Sequence, residues 1–471
     1  MSQDFSLAEF GTAWQKFMEH VNAHTPARES APPLAAKLTA FLGAEPTHAI
    51  ILKETFLDRD LPNLQLALDR ILAGPGRSAE QTGYIADYEN PEFGLSVMLS
   101  GGRHSVPVME GPVQYLSVEL AGDEQLQCVQ KGLCLIRDRD RNVILLLRVV
   151  ERGWDPQPIK LEVMCAEAEG AAAILAELRD LMHRHNVYRG QVISLGAKGP
   201  EGVRFHALPA IGRDAIILPP RLLEIIERNT LSFAEQAPRL RAMGRHVKRG
   251  LLFHGPPGTG KTLTIMYLAS ELRRQERGRT VILLTGRIQG LIVQSCRLAR
   301  WLAPSMVVLE DVDLVAEERE HEGEGGPLLF ELLNEIDGLA ADTDVLFILS
   351  TNRPDLLEHA LTARPGRIDQ AIEFPLPDAD CRRRLFALYG QGLDLQVQDL
   401  DDMVRRTEGV SSAFIRELLR KAALIAADQS RDASTPPTIT DAHLREALQA
   451  IVAEGGELTK RLLGVAPGAL S

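Results

Sequence analysis

Apolar and polar positions change rhythm along the chain, and each rhythm predicts a different kind of element. Between residues 250 and 375 four short apolar runs, "GLLFHG", "TVILLTG", "MVVLED" and "DVLFILST", alternate with stretches of helical spacing. Such alternation predicts a parallel sheet with helices on both faces. Just upstream, "ILPPRLLEIIERNTLSF" reads as a helix started by prolines. Downstream, residues 376–452 are rich in helical spacing and poor in strand signal.

The first 205 residues carry mixed signals. Phe5–Val21 spaces Phe, Trp and Met as a helix does, and Asn63–Gly74 reads as a helix stopped by its glycine. Gly74–Tyr84, "GPGRSAEQTGY", reads as a loop. Strand signals follow in "PVQYLSVEL", "QLQCVQKGLCLI" and "NVILLLRVV". "GAAAILAELRDLMHRHNVY" has the three-and-four spacing of a helix, and "RGQVISLG" looks like a short strand after it. The expected fold class is therefore α/β. A parallel-sheet domain (residues 206–375) and a helical domain (376–452) follow an α+β N-terminal domain (1–205), with a tail at 453–471.

Composition narrows the partners. Charged residues make up 25% of the 471, but 64 acids against 52 Lys and Arg leave a net charge of −12. That balance, with aromatics at only 5%, argues against nucleic acid or an anionic membrane as the main partner. The basic run "RLRAMGRHVKRG" has no interleaved aromatics and reads as a solvated face. Five scattered cysteines form no C-x-x-C pair, as expected in a reducing compartment. The N-terminus has no basic, apolar leader pattern, and runs such as Val143–Leu147 are too short to cross a bilayer. The expectation is a soluble, cytoplasmic protein.

The strongest chemical signal follows the strand "GLLFH". Gly255, Pro256, Pro257, Gly258, Thr259, Gly260, Lys261 and Thr262 satisfy G-x-x-x-x-G-K-[ST], and a helical stretch comes next. In that strand–loop–helix setting the glycines let backbone N–H groups surround phosphate oxygens. Lys261 can reach the β- and γ-phosphates of a nucleotide, and the Thr262 hydroxyl can ligate Mg²⁺. A second apolar run ends on Glu310 and Asp311. One of these acids would hold the metal through its water shell, and the other would orient an attacking water. "DVLFILST" ends beside Asn352, whose amide could touch the γ-phosphate or that water. Arg364 and Arg367 sit in a turn restrained by Pro and Gly. Both a structural role and transition-state stabilisation are open to them.

Read together, "GPPGTGKT", "PSMVVLEDVDLV", "LLNEIDGL", "TNRPDLLEHALTARPGRID", "IEFPLPD" and "TEGVSSAFIRELLRKAAL" resemble the AAA family of ATPases over Leu218 to Ile451. The resemblance implies a P-loop α/β domain with a C-terminal helical lid, ATP and Mg²⁺ as ligands, and hydrolysis of ATP. It assigns Glu310 to the metal and Asp311 to catalysis, and makes Asn352 a sensor. Ser412 and Ala413 fall where the lid meets nucleotide. Arg364 and Arg367 match arginines that reach into a neighbour's ATP. An extra residue after Ala360 leaves open which of the two is the finger. Shared sites imply a homo-oligomeric ring, usually hexameric, and the leading expectation is a protein remodeller whose partner is recognised by residues 1–205. The run from Leu218 into the P-loop looks most like the branch containing the mitochondrial Rieske-protein translocase, which also carries a Glu–Asp order. An aromatic residue usually marks the family's peptide-threading loop. Here the matching region, Thr285–Trp301, offers Ile288, Leu291 and Ile292 instead, so an ATP-gated switch without threading is the competing expectation.

Overall fold

The structure is a computed structural model. It describes residues 12–17, 20, 34–86, 93–99, 108–150, 158–196, 202–275, 278–284, 291–313, 334–335, 338, 343–357, 368–430, 437–454 and 464–465. The chain divides into two compact units. One comprises Met1–Val118 and Leu126–Met182, the other Glu119–Gln125 and His183–Ser471.

The first unit runs α1 (Leu34–Leu42), β1 (Ile50–Phe56), α2 (Leu61–Leu72), β2 (Arg77–Ala86), α3 (Leu95–Leu99), β3 (Val108–Gly111), β4 (Gln114–Glu119), β5 (Gln125–Asp138), β6 (Arg141–Val149), β7 (Ile159–Cys165) and α4 (Ala168–Arg184). Its sheet has the order β1-β7-β6-β5-β2-β3, with β4 paired to β5. Strand β6 is buried from Val143 to Val149, as a central strand covered on both faces must be. Leu34, Leu38 and Leu42 of α1 and Leu95 and Met98 of α3 pack with Leu133, Leu135, Ile144 and Leu146 of the sheet. The stretch expected to be a loop after Gly74 is instead β2. Its residues Arg77–Thr82 pair antiparallel with Thr82's partner Leu133 through Asp138. Local propensity there is poor, but β5 supplies the ladder, and Arg77 anchors the start to Asp138 at 3.0 Å and Glu177 at 2.7 Å. Of the helix expected at Phe5–Val21, residues 12–17 are helical and much of the rest lies outside the described residues.

The second unit opens with β8 (Val192–Leu195) and β9 (Val203–Phe205). Both strands precede residue 206, the expected start of the parallel-sheet domain. They belong to the second sheet, whose order is β14-β10-β13-β12-β11-β8-β9. Strand β8 lies parallel to β11, Val192 beside Val281, a long-range pairing that no local pattern announces. Next come α5 (Pro220–Glu227), α6 (Phe233–Ala242), β10 (Arg249–His254), α7 (Lys261–Arg274), β11 (Thr280–Leu284), α8 (Leu291–Trp301), β12 (Ser305–Leu309), β13 (Val345–Thr351) and β14 (Gln370–Glu373). A π-helical turn, Arg228–Ser232, joins α5 to α6.

All the pairings among β8 and β10–β14 are parallel, and only β9 runs antiparallel. Side chains alternate between two cores, as the strand period of two requires. Leu251, Phe253, Met306 and Val308 meet α5 and α7. Leu252, Val307, Phe347 and Leu349 meet α8. Leu291 and Ile292, considered above for a threading loop, are buried in that second core. Their spacing fits a helix face, and Ile288 lies outside the described residues. Register sets His254 beside Thr351 and Leu309 beside Leu349. The carboxyl ends of β10, β12 and β13 are thereby level, and the site forms beyond them.

The helical part comprises α9 (Ala379–Tyr389), β15 (Asp394–Gln396), α10 (Leu400–Arg406), α11 (Ser412–Gln429), β16 (Thr438–Thr440) and α12 (Asp441–Gln449). Phe386, Phe414, Leu418 and Leu444 are buried in its core. Its small parallel pair, Leu395 beside Ile439, adds strand where the sequence suggested helix alone. Among the described residues no helix is long and apolar enough to cross a membrane.

Candidate functional site

The loop from β10 to α7 is shaped by glycines at positive φ, where other side chains are strained. Gly255 has φ 143°, and a Cβ there would run into the Phe374 carbonyl. Gly258 has φ 73°, and its Cβ would stand 2.7 Å from both Ala413 Cβ and Ser411 Oγ. The loop therefore approaches the first turn of α11 as closely as glycine allows. The Ala413 amide donates to the Gly258 carbonyl at 3.1 Å, and Ser411 caps α11 by accepting from the Phe414 amide. Within the loop, the Thr259 hydroxyl donates to the Pro256 carbonyl at 2.9 Å.

Lys261 opens α7 and is 7% exposed. Its ammonium donates to the carbonyls of Gly255 at 2.8 Å and Pro256 at 2.9 Å. Burial pulls its pKa down to about 8, against the opposing pull of Asp311 and Asp313. An anion placed beside it would favour the charged form, which is what a phosphate supplies.

Glu310 follows β12 directly and takes a hydrogen bond from the Thr262 hydroxyl. Its Oε1 is buried with no hydrogen-bond partner among the described residues. Burial, and then the charge of Asp311, hold its carboxyl above the usual range, while the Thr262 bond works the other way. A buried carboxylate oxygen without a donor is costly, and a cation beside it removes the cost. Glu310 and Thr262 are thus a fitting oxygen pair for Mg²⁺, which takes oxygen ligands and keeps several waters.

Asp311 is exposed, has φ 50°, and accepts from Asn352 Nδ2 at 3.2 Å. Asp313, which the sequence reading passed over, is 6% exposed. It accepts from the Thr351 hydroxyl at 2.8 Å and from the Asn352 amide at 3.2 Å. Its signal was present as the last acid of "EDVD", yet nothing local tied it to a strand that begins more than thirty residues later.

A cavity of about 610 Å³ collects these elements. Gly258, Gly260, Lys261 and Thr262 line it from the loop, Asp311 and Asn352 from the sheet edge, and Ser412 and Ala413 from the lid. Of the residues expected at the site, Pro257, Gly258, Gly260, Lys261, Thr262, Asp311, Asn352, Ser412 and Ala413 line this cavity, and Glu310 is not in its lining. Gly255, Pro256 and Thr259 shape the loop behind the lining. Tyr389, Arg416, Glu417 and Arg420 also line the cavity and were not expected there. Spacing of three and four from Ala413 along α11 would have pointed to the last three. Arg420 is tied to Glu417 at 2.7 Å, while Arg416 makes no ion pair among the described residues. From the C-terminal tail, Gly464 touches this region. A Cβ on it would collide with the Pro257 carbonyl and stand 2.9 Å from Ser411 Cβ. Arg364 and Arg367 lie outside the described residues.

Residues 251–376 match the family described as "ATPase family associated with various cellular activities (AAA)". The ATP-dependent zinc metalloprotease FtsH 2 of Sphaerobacter thermophilus is 32% identical over 231 residues, 47% of this chain and 34% of the relative. The proteasome-activating nucleotidase of Methanothermobacter thermautotrophicus is 32% identical over 234 residues, 46% of this chain and 55% of the relative. Among solved structures, one described as "Structural Basis for Katanin Self-Assembly" aligns with a TM-score of 0.42 at 24% identity, over 54% of this chain and 90% of that one. The matched region spans about a third to about half of these curated relatives. Residues 251–376, on their parallel sheet, thus match an AAA ATPase domain, with homologues among FtsH proteases and proteasomal ATPases.

Proposed function

We propose that this cavity binds ATP with Mg²⁺ and that the chain hydrolyses it, driving the remodelling of a protein partner from within a homo-oligomeric, hexameric ring. One observation carries the reading. Lys261 and Thr262 line one cavity with Asp311 and Asn352, and Glu310, which precedes Asp311 at the end of β12, has a buried Oε1 with no hydrogen-bond partner among the described residues. Lys261 and the loop amides bind the phosphates. Thr262 and Glu310 would hold Mg²⁺, which when bound would supply positive charge against the phosphates. Asp311 accepts a proton from the attacking water or orients it, and Asn352 fixes that carboxylate. Arg364 or Arg367 would complete the site of a neighbouring copy. Phosphate release from ATP tests this reading. It is expected to require Mg²⁺, to stop with EDTA, and to vanish in Lys261→Ala. Turnover that survives Lys261→Ala would refute it.

The partner is recognised by the N-terminal unit, Met1–Val118 with Leu126–Met182. An Asp311→Asn variant incubated with ATP should retain the partner on a pull-down, and lose it when residues 1–182 are deleted. The competing reading is an ATP-gated switch without threading. Burial of Leu291 and Ile292 in the core favours it, because neither can grip a chain in a pore. We further propose that the ATPase module resembles the branch of the mitochondrial Rieske-protein translocase, on the run from Leu218 into the P-loop and the Glu310–Asp311 order. All five cysteines are free and buried, which supports a reducing, cytoplasmic setting. Fractionation of the tagged protein checks that assignment.

A further inference from the structure

Asp313 is a carboxylate buried in the second unit that the phosphate-binding reading does not use. A charge taken out of water is tolerated only where hydrogen bonds replace the lost hydration. Here both donors come from the end of β13, namely the Thr351 hydroxyl at 2.8 Å and the Asn352 backbone amide at 3.2 Å. Thr351, fully buried, uses the same hydroxyl oxygen to accept from the Arg353 amide at 2.9 Å. Three successive residues at the strand end are thus fixed through one carboxylate and one hydroxyl.

The consequence falls on Asn352. With its backbone held, its side-chain amide is aimed at Asp311 and donates to Oδ1 at 3.2 Å. Asp311 is exposed and at φ 50°, and no other hydrogen bond holds its side chain among the described residues. Its carboxylate depends on Asn352 for its direction, and Asn352 depends on Asp313 and Thr351.

We infer that Asp313 is a positioning residue for hydrolysis. It clamps Thr351 and Asn352 so that the Asn352 amide holds the Asp311 carboxylate toward the cavity. The inference rests on the ATP-hydrolysis reading above, but it concerns a relay that can be observed without turnover. Asp313 touches neither nucleotide nor water in this account, so its loss should slow the chemical step and spare binding. Small misplacements of a catalytic group cost large factors in rate.

The test uses the full chain carrying Asp313→Ala, Asp313→Asn, Thr351→Val and Thr351→Ser, each first checked for an unchanged thermal transition. Thr351→Val is close to isosteric and guards against loss of fold in the Asp313 variants. Thr351→Val and Asp313→Ala are expected to lower kcat about tenfold or more, with the Kd of a fluorescent ATP analogue within about twofold of wild type. Thr351→Ser restores the hydroxyl and should restore the rate. In an Asn352→Ala background, Thr351→Val should cost nothing further, because both act through one relay. Multiplying losses, or parallel loss of nucleotide affinity and kcat, would overturn the inference. A crystal structure of Thr351→Val supplies the readout that is independent of turnover. If the Asn352–Asp311 contact persists there, the clamp is refuted, whether or not the wild-type protein hydrolyses ATP. An intact relay in a wild-type protein that turns nothing over would instead count against the hydrolysis reading.

Discussion

Asp311 stands at a backbone angle that few side chains tolerate. At φ 50° the left-handed region admits Asp and Asn more readily than longer or branched residues, because a short polar side chain bonds locally there. This gives the Glu–Asp order a physical meaning. The acid at the strained position is the short one, and the acid with a buried carboxylate oxygen is the long one. Asp311→Asn keeps the tolerance and removes the charge. It is expected to leave the thermal transition within about 0.5 kcal/mol of wild type while lowering kcat at least about a hundredfold. Glu310→Gln is expected to weaken Mg²⁺ affinity instead, read as a raised Mg²⁺ concentration for half-maximal turnover. If Glu310→Gln abolishes turnover and Asp311→Asn spares it, the two roles are exchanged.

Elements formed where local pattern and long-range pairing agreed, and also where pairing prevailed alone. The four apolar runs became β10–β13 because each is buried along most of its length. Strand β2 formed from a sequence that reads as a loop, since β5 and Arg77 supply what propensity does not. The lid helices depend more on local signals. Asp378 caps α9 by accepting from the Cys381 amide at 2.8 Å. That bond, ahead of the smaller pull of Arg382, holds its carboxyl below the usual range. Asp378→Ala is expected to destabilise the protein by about 1 kcal/mol near neutral pH. A depressed carboxyl contributes fully above its unfolded pKa and loses the contribution as pH falls through the folded value. The difference between wild type and Asp378→Ala should therefore shrink below about pH 4. A difference that grows on acidification would contradict the cap.

At the scale of the molecule, the lid closes one wall of the cavity and the sheet edge the other. The Gly258–Ala413 hydrogen bond and the Gly464 contact join loop, lid and tail at one point. If a neighbouring copy completes the site, ATP should drive assembly. Light scattering of Asp311→Asn is expected to show a larger particle with ATP than without. Arg364→Ala and Arg367→Ala should then separate the finger from its companion, the finger variant binding ATP normally while losing turnover. A protein that stays monomeric in every nucleotide state, or both variants at full rate, would remove the ring from the proposal.

The sequence by itself determined the P-loop, the acids after the second apolar run, and the two-part ATPase module. These are contiguous patterns whose chemistry depends on spacing within a few residues. Tertiary structure decided what depends on register between distant segments. It drew β8 and β9 into the second sheet and took Leu291 and Ile292 into the core. It also set Asp313 beneath Thr351 and Asn352, and brought Tyr389 and Arg416 to the cavity wall. Each of those outcomes joins residues far apart in the chain, and only packing determines which such pairs meet.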